Sequence, residues 1–159
     1  MANPDTFRVE RSTVIAATPE TVFPFIDDFH QWALWSPWEK IDADLAKTYS
    51  GPDQGKGAVY EWTGKKTGAG RMEITRSSPN SEILIDLQFL KPFKAQNVAH
   101  FTLAPDAGGT AVTWSMTGTQ NFMMKLMGLV FNMDKTVGKD FATGLASLKA
   151  VSEAKTAAP

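Results

Sequence analysis

Apolar and polar positions change rhythm twice along this chain of 159 residues. Residues 7–17 are rich in β-branched side chains and partly alternate, which predicts a strand over Phe7–Ala17. Thr18-Pro19-Glu20 then reads as a helix start. Thr18 is the expected N-cap, Pro19 suits the first helical position, and Glu20 complements the dipole. Val22, Phe23, Phe25, Ile26 and Phe29 give this short helix one apolar face, and Pro24 falls early enough to be tolerated. A second short helix or turn is expected over His30–Trp38, stopped by Pro37.

From residue 45 the period becomes two. Strands are expected over Leu45–Tyr49, Gly57–Trp62, Arg71–Arg76, Glu82–Leu90, Asn97–Leu103 and Ala111–Thr117. Turn signals fall at Gly51-Pro52-Asp53, Pro79-Asn80-Ser81, Lys91-Pro92-Phe93 and Asp106–Gly109, with a longer loop over Gly64–Gly70. One face collects Tyr60 and Trp62, Met72 and Ile74, then Ile85, Leu87 and Phe89, then Phe101, and finally Trp114 and Met116. The other face collects Val59, Glu61, Arg71, Glu73, Asp86, His100 and Thr113. That alternation describes an antiparallel meander with one buried and one wetted face.

The last third returns to helical spacing. Asn121 is a possible N-cap for an apolar run through Met123, Met127 and Phe131. Val137, Phe141, Leu145, Leu148 and Val151 form a second stripe, so a long C-terminal helix is expected, kinked or broken near Asn132–Asp134. Ser152–Pro159 is expected to fray. The order of one strand, two short helices, six strands and a long helix is an α+β layout in a single domain over residues 1–159, with an ordered core of about 5–152. A curved sheet gripping one helix rarely fills completely, and the gap that remains is a usual place for a ligand. The inward-facing set, completed by Met123, Met127 and Phe131 from the helix, would line it.

Composition narrows the function. The formal net charge is -1, from 16 basic and 17 acidic residues, so no basic surplus drives binding to nucleic acid. Cysteine is absent, which removes disulfides, thiolate nucleophiles and Cys-ligated metals. Five Trp, ten Phe and seven Met make a domain unusually rich in soft apolar surface. No stretch is long and apolar enough to span a bilayer, and the N-terminus lacks a signal-peptide pattern, so a soluble, cytoplasmic protein is expected.

Little in the chain points to catalysis. Parity turns Glu61, Arg71, Glu73 and Asp86 away from the apolar face, where cross-strand ion pairs are their ordinary role. Tyr60 faces inward, where its hydroxyl would serve either the core or a ligand carbonyl. His30 falls near the presumed mouth of the gap, as a surface or capping histidine or as an acid–base group. His30 and His100, without cysteines, form no metal-ligand spacing, so no metal or cofactor is expected. Gly64-Lys-Lys-Thr67 lacks the earlier glycine of a phosphate-binding loop, and neither a GxSxG elbow nor a GxGxxG turn occurs. Trp32, Trp35 and Trp38 recur every three residues, either packing the short helices on the sheet or gating the gap.

Several segments together carry a family resemblance: Trp35-Ser-Pro-Trp38, Tyr49-Ser-Gly-Pro52 leading to Gly57-Ala-Val-Tyr60-Glu-Trp62, Gly68-Ala-Gly70-Arg-Met72-Glu-Ile74, Lys91-Pro-Phe93, Gly109-Thr-Ala-Val-Thr-Trp114-Ser-Met116, and Met133-Asp-Lys135 through Gly144-Leu145. Over roughly residues 5–150 the chain resembles the polyketide cyclase/dehydrase-like branch of the START-like (SRPBCC, Bet v 1-type) superfamily. The resemblance implies a helix-grip fold, a curved sheet of about seven antiparallel strands wrapped on the C-terminal helix around a hydrophobic cavity. It implies a small hydrophobic or amphipathic ligand, such as a lipid, sterol or polyketide. The expected ligand-binding residues are Trp35, Trp38, Tyr60, Trp62, Met72, Ile74, Leu87, Phe89, Phe101, Trp114, Met116, Met127 and Phe131, in a monomer or homodimer. The alternatives are a cyclase or dehydratase acting in the same cavity, and an interaction domain using an apolar patch over Phe122–Phe131.

Overall fold

A computed structural model describes residues 6–37, 45–65, 68–91, 95–119 and 133–157. Strand β1 (Thr6–Ile15) leads into helix α1 (Pro19–Asp27) and a 3-10 helix (Phe29–Leu34). Strands β2 (Ala46–Ser50), β3 (Val59–Gly64), β4 (Gly68–Ser78), β5 (Glu82–Lys91), β6 (Ala95–Asp106) and β7 (Gly109–Thr119) follow. Helix α2 (Met133–Ala157) closes the described chain. The seven strands form one antiparallel sheet in the order β1-β7-β6-β5-β4-β3-β2. β2 to β7 is therefore a meander, and β1 joins it beside β7. The β6–β7 connection is a two-residue turn with Ala107 at φ 49 and Gly108 at φ 87, the two positive angles that suit the twist of a hairpin.

One side of α2 seats the core. Phe141, Leu145 and Leu148 are each at most 1% exposed. The Phe141 ring stacks on Trp114 with centroids 4.0 Å apart and planes 8° from parallel. Phe101 stacks on Trp114 at 4.9 Å, and Trp35 meets it edge-on at 5.5 Å. A Cβ at Gly144 would lie 3.0 Å from the Trp114 ring, so the small residue lets the helix come down onto the indole. The described part of α2 packs chiefly along β1, α1 and the 3-10 helix.

Several local expectations need correction. Gly64–Gly70 is not one long loop, because β3 and β4 stay paired through Thr63–Ala69 and Gly64–Gly68. The second short helix is a 3-10 turn ending at Leu34 rather than Trp38, with the Asp28 carboxylate accepting the His30 N–H at 2.9 Å. Thr18 offers its carbonyl to the first turn, and its hydroxyl lies 3.2 Å from that of Thr21 instead of capping. Val59, expected on the wetted face, is 7% exposed, covered where the β2–β3 loop folds back. The C-terminal end does not fray at Ser152, which is fully buried. There the Glu153 carboxylate accepts the Ala16 N–H at 2.9 Å and pairs with Lys149, and Lys155 sits 5.5 Å over the Phe25 ring. Lys149 and that N–H hold the Glu153 carboxyl below its usual range. The run expected to open the C-terminal helix, from Asn121 through Phe131, lies outside the described residues.

One buried carboxylate was not foreseen. Asp27, the last residue of α1, is 8% exposed, and the Ser77 hydroxyl donates to its Oδ1 at 2.7 Å. Burial raises its carboxyl above the usual range, Ser77 lowers it, and the charge of Asp28 raises it again. An acid whose pKa is raised by folding contributes stability at low pH that is lost as the pH climbs through that value. Asp27→Asn keeps an acceptor for Ser77 without the charge. Its urea midpoint is expected to match the parent at about pH 3 and to exceed it at about pH 7. A lower midpoint than the parent at neutral pH would mean that the ionised form is the stabilised one.

Candidate functional site

Residues directly opposite across an antiparallel pair share a face, so the register sorts the concave side of the sheet into rows. The first row runs Lys47, Trp62, Gly70, Phe89, Ala95. The second runs Tyr49, Tyr60, Met72, Leu87, Asn97, Gly118. The third is Ile74, Ile85, Ala99, Met116 and Val9, and the fourth is Ile83, Phe101, Trp114 and Arg11. Helix α2 lands on the fourth row through Phe141, and Ile74, Ile85 and Phe101 are fully buried beneath the helices. Trp62, Met72 and Phe89, in the first two rows, are only half-buried against the core. The concave face is thus sealed at one end, and its β3–β5 end keeps large apolar side chains partly accessible.

The accessible end is built for an aromatic wall. A Cβ at Gly70 would lie 2.3 Å from the Trp62 ring, so the indole lies across a place that only glycine leaves free. Trp62 meets Phe89 edge-on at 5.9 Å and Tyr60 at 6.1 Å. Tyr60 is itself wedged between Tyr49 at 5.4 Å and Phe29 at 5.8 Å. The second row also contains Asn97, which is 5% exposed and whose Oδ1 has no hydrogen-bond partner among the described residues. Sequence reasoning assigned it no role. The signal was present, because Asn97 shares the parity of Ala99 and Phe101, but a polar residue at a strand start reads as a boundary.

The expected ligand-binding residues separate into three groups. Trp62, Met72 and Phe89 are accessible, with Tyr60, Leu87 and Met116 buried beside them. Trp35, Ile74, Phe101 and Trp114 sit within the packed core. Trp38, Met127 and Phe131 lie outside the described residues, as does the patch over Phe122–Phe131. The tryptophan triplet is not a gate where it is described. Trp35 Nε1 donates to the Phe25 carbonyl at 2.7 Å and Trp32 Nε1 to the Ile26 carbonyl at 2.9 Å, which ties the 3-10 helix to α1.

The titratable candidates stay on the outer face. Glu61 is exposed, Arg71 pairs with Glu73 at 3.0 Å, and Asp86 accepts from Gln88 at 3.1 Å and Gln96 at 3.0 Å. His100 lies 2.8 Å from Glu82. His30 stacks on Tyr49 at 4.0 Å with Nδ1 2.7 Å from Asp28 Oδ1, beside a small pocket of about 120 Å³ under the β2–β3 loop. No cluster of three or more metal-ligating side chains occurs among the described residues, and no described helix is long and apolar enough to cross a membrane.

Comparison with known families and folds follows the same outline. A family model described as polyketide cyclase / dehydrase and lipid transport matches residues 6–153. Among solved structures, protein CV1439 from Chromobacterium violaceum is 20% identical, with a TM-score of 0.66 over 95% of this chain and 99% of that one. Ara h 8.0201 is 12% identical, with a TM-score of 0.67 over 94% of this chain and 99% of that one. The di-domain ARO/CYC StfQ from the steffimycin biosynthetic pathway is 14% identical, with a TM-score of 0.73 over 96% of this chain and 52% of that one. These likenesses establish a shared fold. Comparison with curated proteins yields no match.

Proposed function

Since the chain belongs to the polyketide cyclase / dehydrase and lipid transport family, we propose that it binds a small hydrophobic or amphipathic ligand on the concave face of the sheet, at the end that α2 does not seal. The observation that carries this reading is the half-buried wall of Trp62, Met72 and Phe89, set beside a fully packed aromatic core in the same sheet. Contiguous, partly accessible apolar side chains of this kind mark ligand-binding grooves and interaction sites. The side chains described in these rows favour binding over the alternative of a cyclase or dehydratase. Moving protons at carbonyl-flanking carbons takes an acid–base pair. Among the described residues, the polar side chains of the two accessible rows are the Tyr49 and Tyr60 phenols, the Asn97 amide and the exposed Lys47 ammonium opposite Trp62, with no carboxylate or imidazole among them.

Native mass spectrometry of the purified protein, followed by organic extraction, tests the reading. A reproducible added mass that extracts as an apolar compound is expected. For protein that arrives empty, titration with the neutral dye N-phenyl-1-naphthylamine is expected to give a saturable fluorescence rise. A clean apo mass together with no dye uptake would sink the proposal.

A further inference from the structure

We infer that the buried end of the ligand carries a neutral hydroxyl, alcoholic or phenolic, that donates its hydrogen bond to Asn97 Oδ1. This rests on the binding reading above and adds the chemistry of the ligand's polar end. Asn97 stands in the second row with Leu87 across β5 and Gly118 across β7. It is flanked on the same face by Ala95 and Ala99, one row to either side. Leu87 offers only carbon, and Gly118 has no side chain to occupy the space beside the amide. Asn97 is nonetheless 5% exposed, and its carbonyl oxygen meets no donor among the described residues. Buried acceptors of this kind are rare, because each forfeits its bond to water. The outward residues of the same strand behave otherwise, with Gln96 reaching Asp86 at 3.0 Å.

The surroundings restrict what the donor is. The side chains around Asn97 (Leu87 across β5, Ala95 and Ala99 on its own strand) carry no formal charge, and the cation of the first row, Lys47 opposite Trp62, stands on β2 with β3, β4 and β5 between, so a carboxylate or phosphate at Asn97 would sit uncompensated against an amide oxygen. A hydroxyl donates to Oδ1 while remaining neutral, and the amide N–H groups can return a bond to its oxygen. The aromatic wall of Trp62 and Phe89, in the adjacent row, then holds the apolar body.

Equilibrium dialysis with three probes of one shape tests this: 2-naphthol, 2-methylnaphthalene and 2-naphthoate. In the parent protein, 2-naphthol is expected to bind at least tenfold more tightly than 2-naphthoate. The ratio of 2-naphthol to 2-methylnaphthalene affinity is expected to fall about tenfold in Asn97→Leu, since one bond is lost and one dry acceptor removed. Asn97→Leu is also expected to melt above the parent when ligand-free, because leucine fills the site without an unmet polar atom. An unchanged ratio, or naphthoate binding as well as naphthol, would overturn the inference and leave the binding reading standing. Absence of binding by all three probes would overturn both. Were the variant to misfold, Asn97 would be a structural residue instead, and the comparison of probes in the parent would still decide the ligand's charge.

Discussion

Trp114→Ala is expected to lower stability by about 3–5 kcal/mol and the melting temperature by roughly 10 °C. The indole is the middle layer of a three-ring stack, with Phe101 from β6 on one side and Phe141 from α2 on the other. Trp35 and Trp32 close its edges at 5.5 Å and 6.2 Å. Truncation opens a cavity that neither a strand nor a helix can shift to fill, so both the transfer loss and the cavity loss apply. It also loosens the seat of α2, because Gly144 then keeps Pro37 beside it but loses the ring. Affinity of the folded fraction for N-phenyl-1-naphthylamine is expected to stay within about threefold of the parent, since interactions far from a site add independently. Calorimetric melting with dye titration below the transition separates the two quantities. A loss under about 1 kcal/mol would show that the stack does not anchor the helix.

Trp62→Ala is expected to do the reverse. Dye affinity should fall about ten- to thirtyfold, and stability by only about 1 kcal/mol, because the ring is half-buried in the free protein, lying across Gly70 and meeting Phe89 and Tyr60. A ligand that covers about 60–80 Å² of indole gains about 1.5–2 kcal/mol from that contact. Because Gly70 leaves room for the ring and nothing else, alanine at 62 leaves a bare step in the wall rather than a collapsed one. Parallel titrations of parent and variant check the affinity, and urea midpoints check the stability. Equal affinity would place the ligand away from the first row, and the small pocket by His30 and Tyr49 would then be the next place to look.

These two tryptophans also mark the limit of reading a chain from its pattern. Both carry the same parity and the same composition signal. In the sequence nothing separates a ring that is stacked into the core from one that lines an opening. The difference arises because the described part of α2 packs chiefly along β1, α1 and the 3-10 helix. Trp35 likewise read as a ligand contact, and its Nε1 bond to the Phe25 carbonyl shows it bracing one short helix against another. Asn97 was legible as an inward polar residue once strand parity was extended by one step, but its meaning required knowing that no donor faces it among the described residues.

Local periodicity and turn chemistry were enough to give seven strands, their inward faces, the two short helical segments, the C-terminal helical stripe and the α+β class. Those features depend on residues within a few positions of one another, and a linear pattern records them faithfully. The pairing of β1 with β7, the laying of Trp62 across Gly70, the burial of Asp27 against Ser77 and the division of one apolar face into a sealed and an accessible end were not in that pattern. Each depends on cross-strand register, on the bulges that shift it after Ala69 and Ile74, and on where a helix far along the chain comes to rest. Alternation says which side of the sheet is apolar. Only long-range packing sets how much of that side is covered, and the uncovered part is where the ligand is proposed to bind.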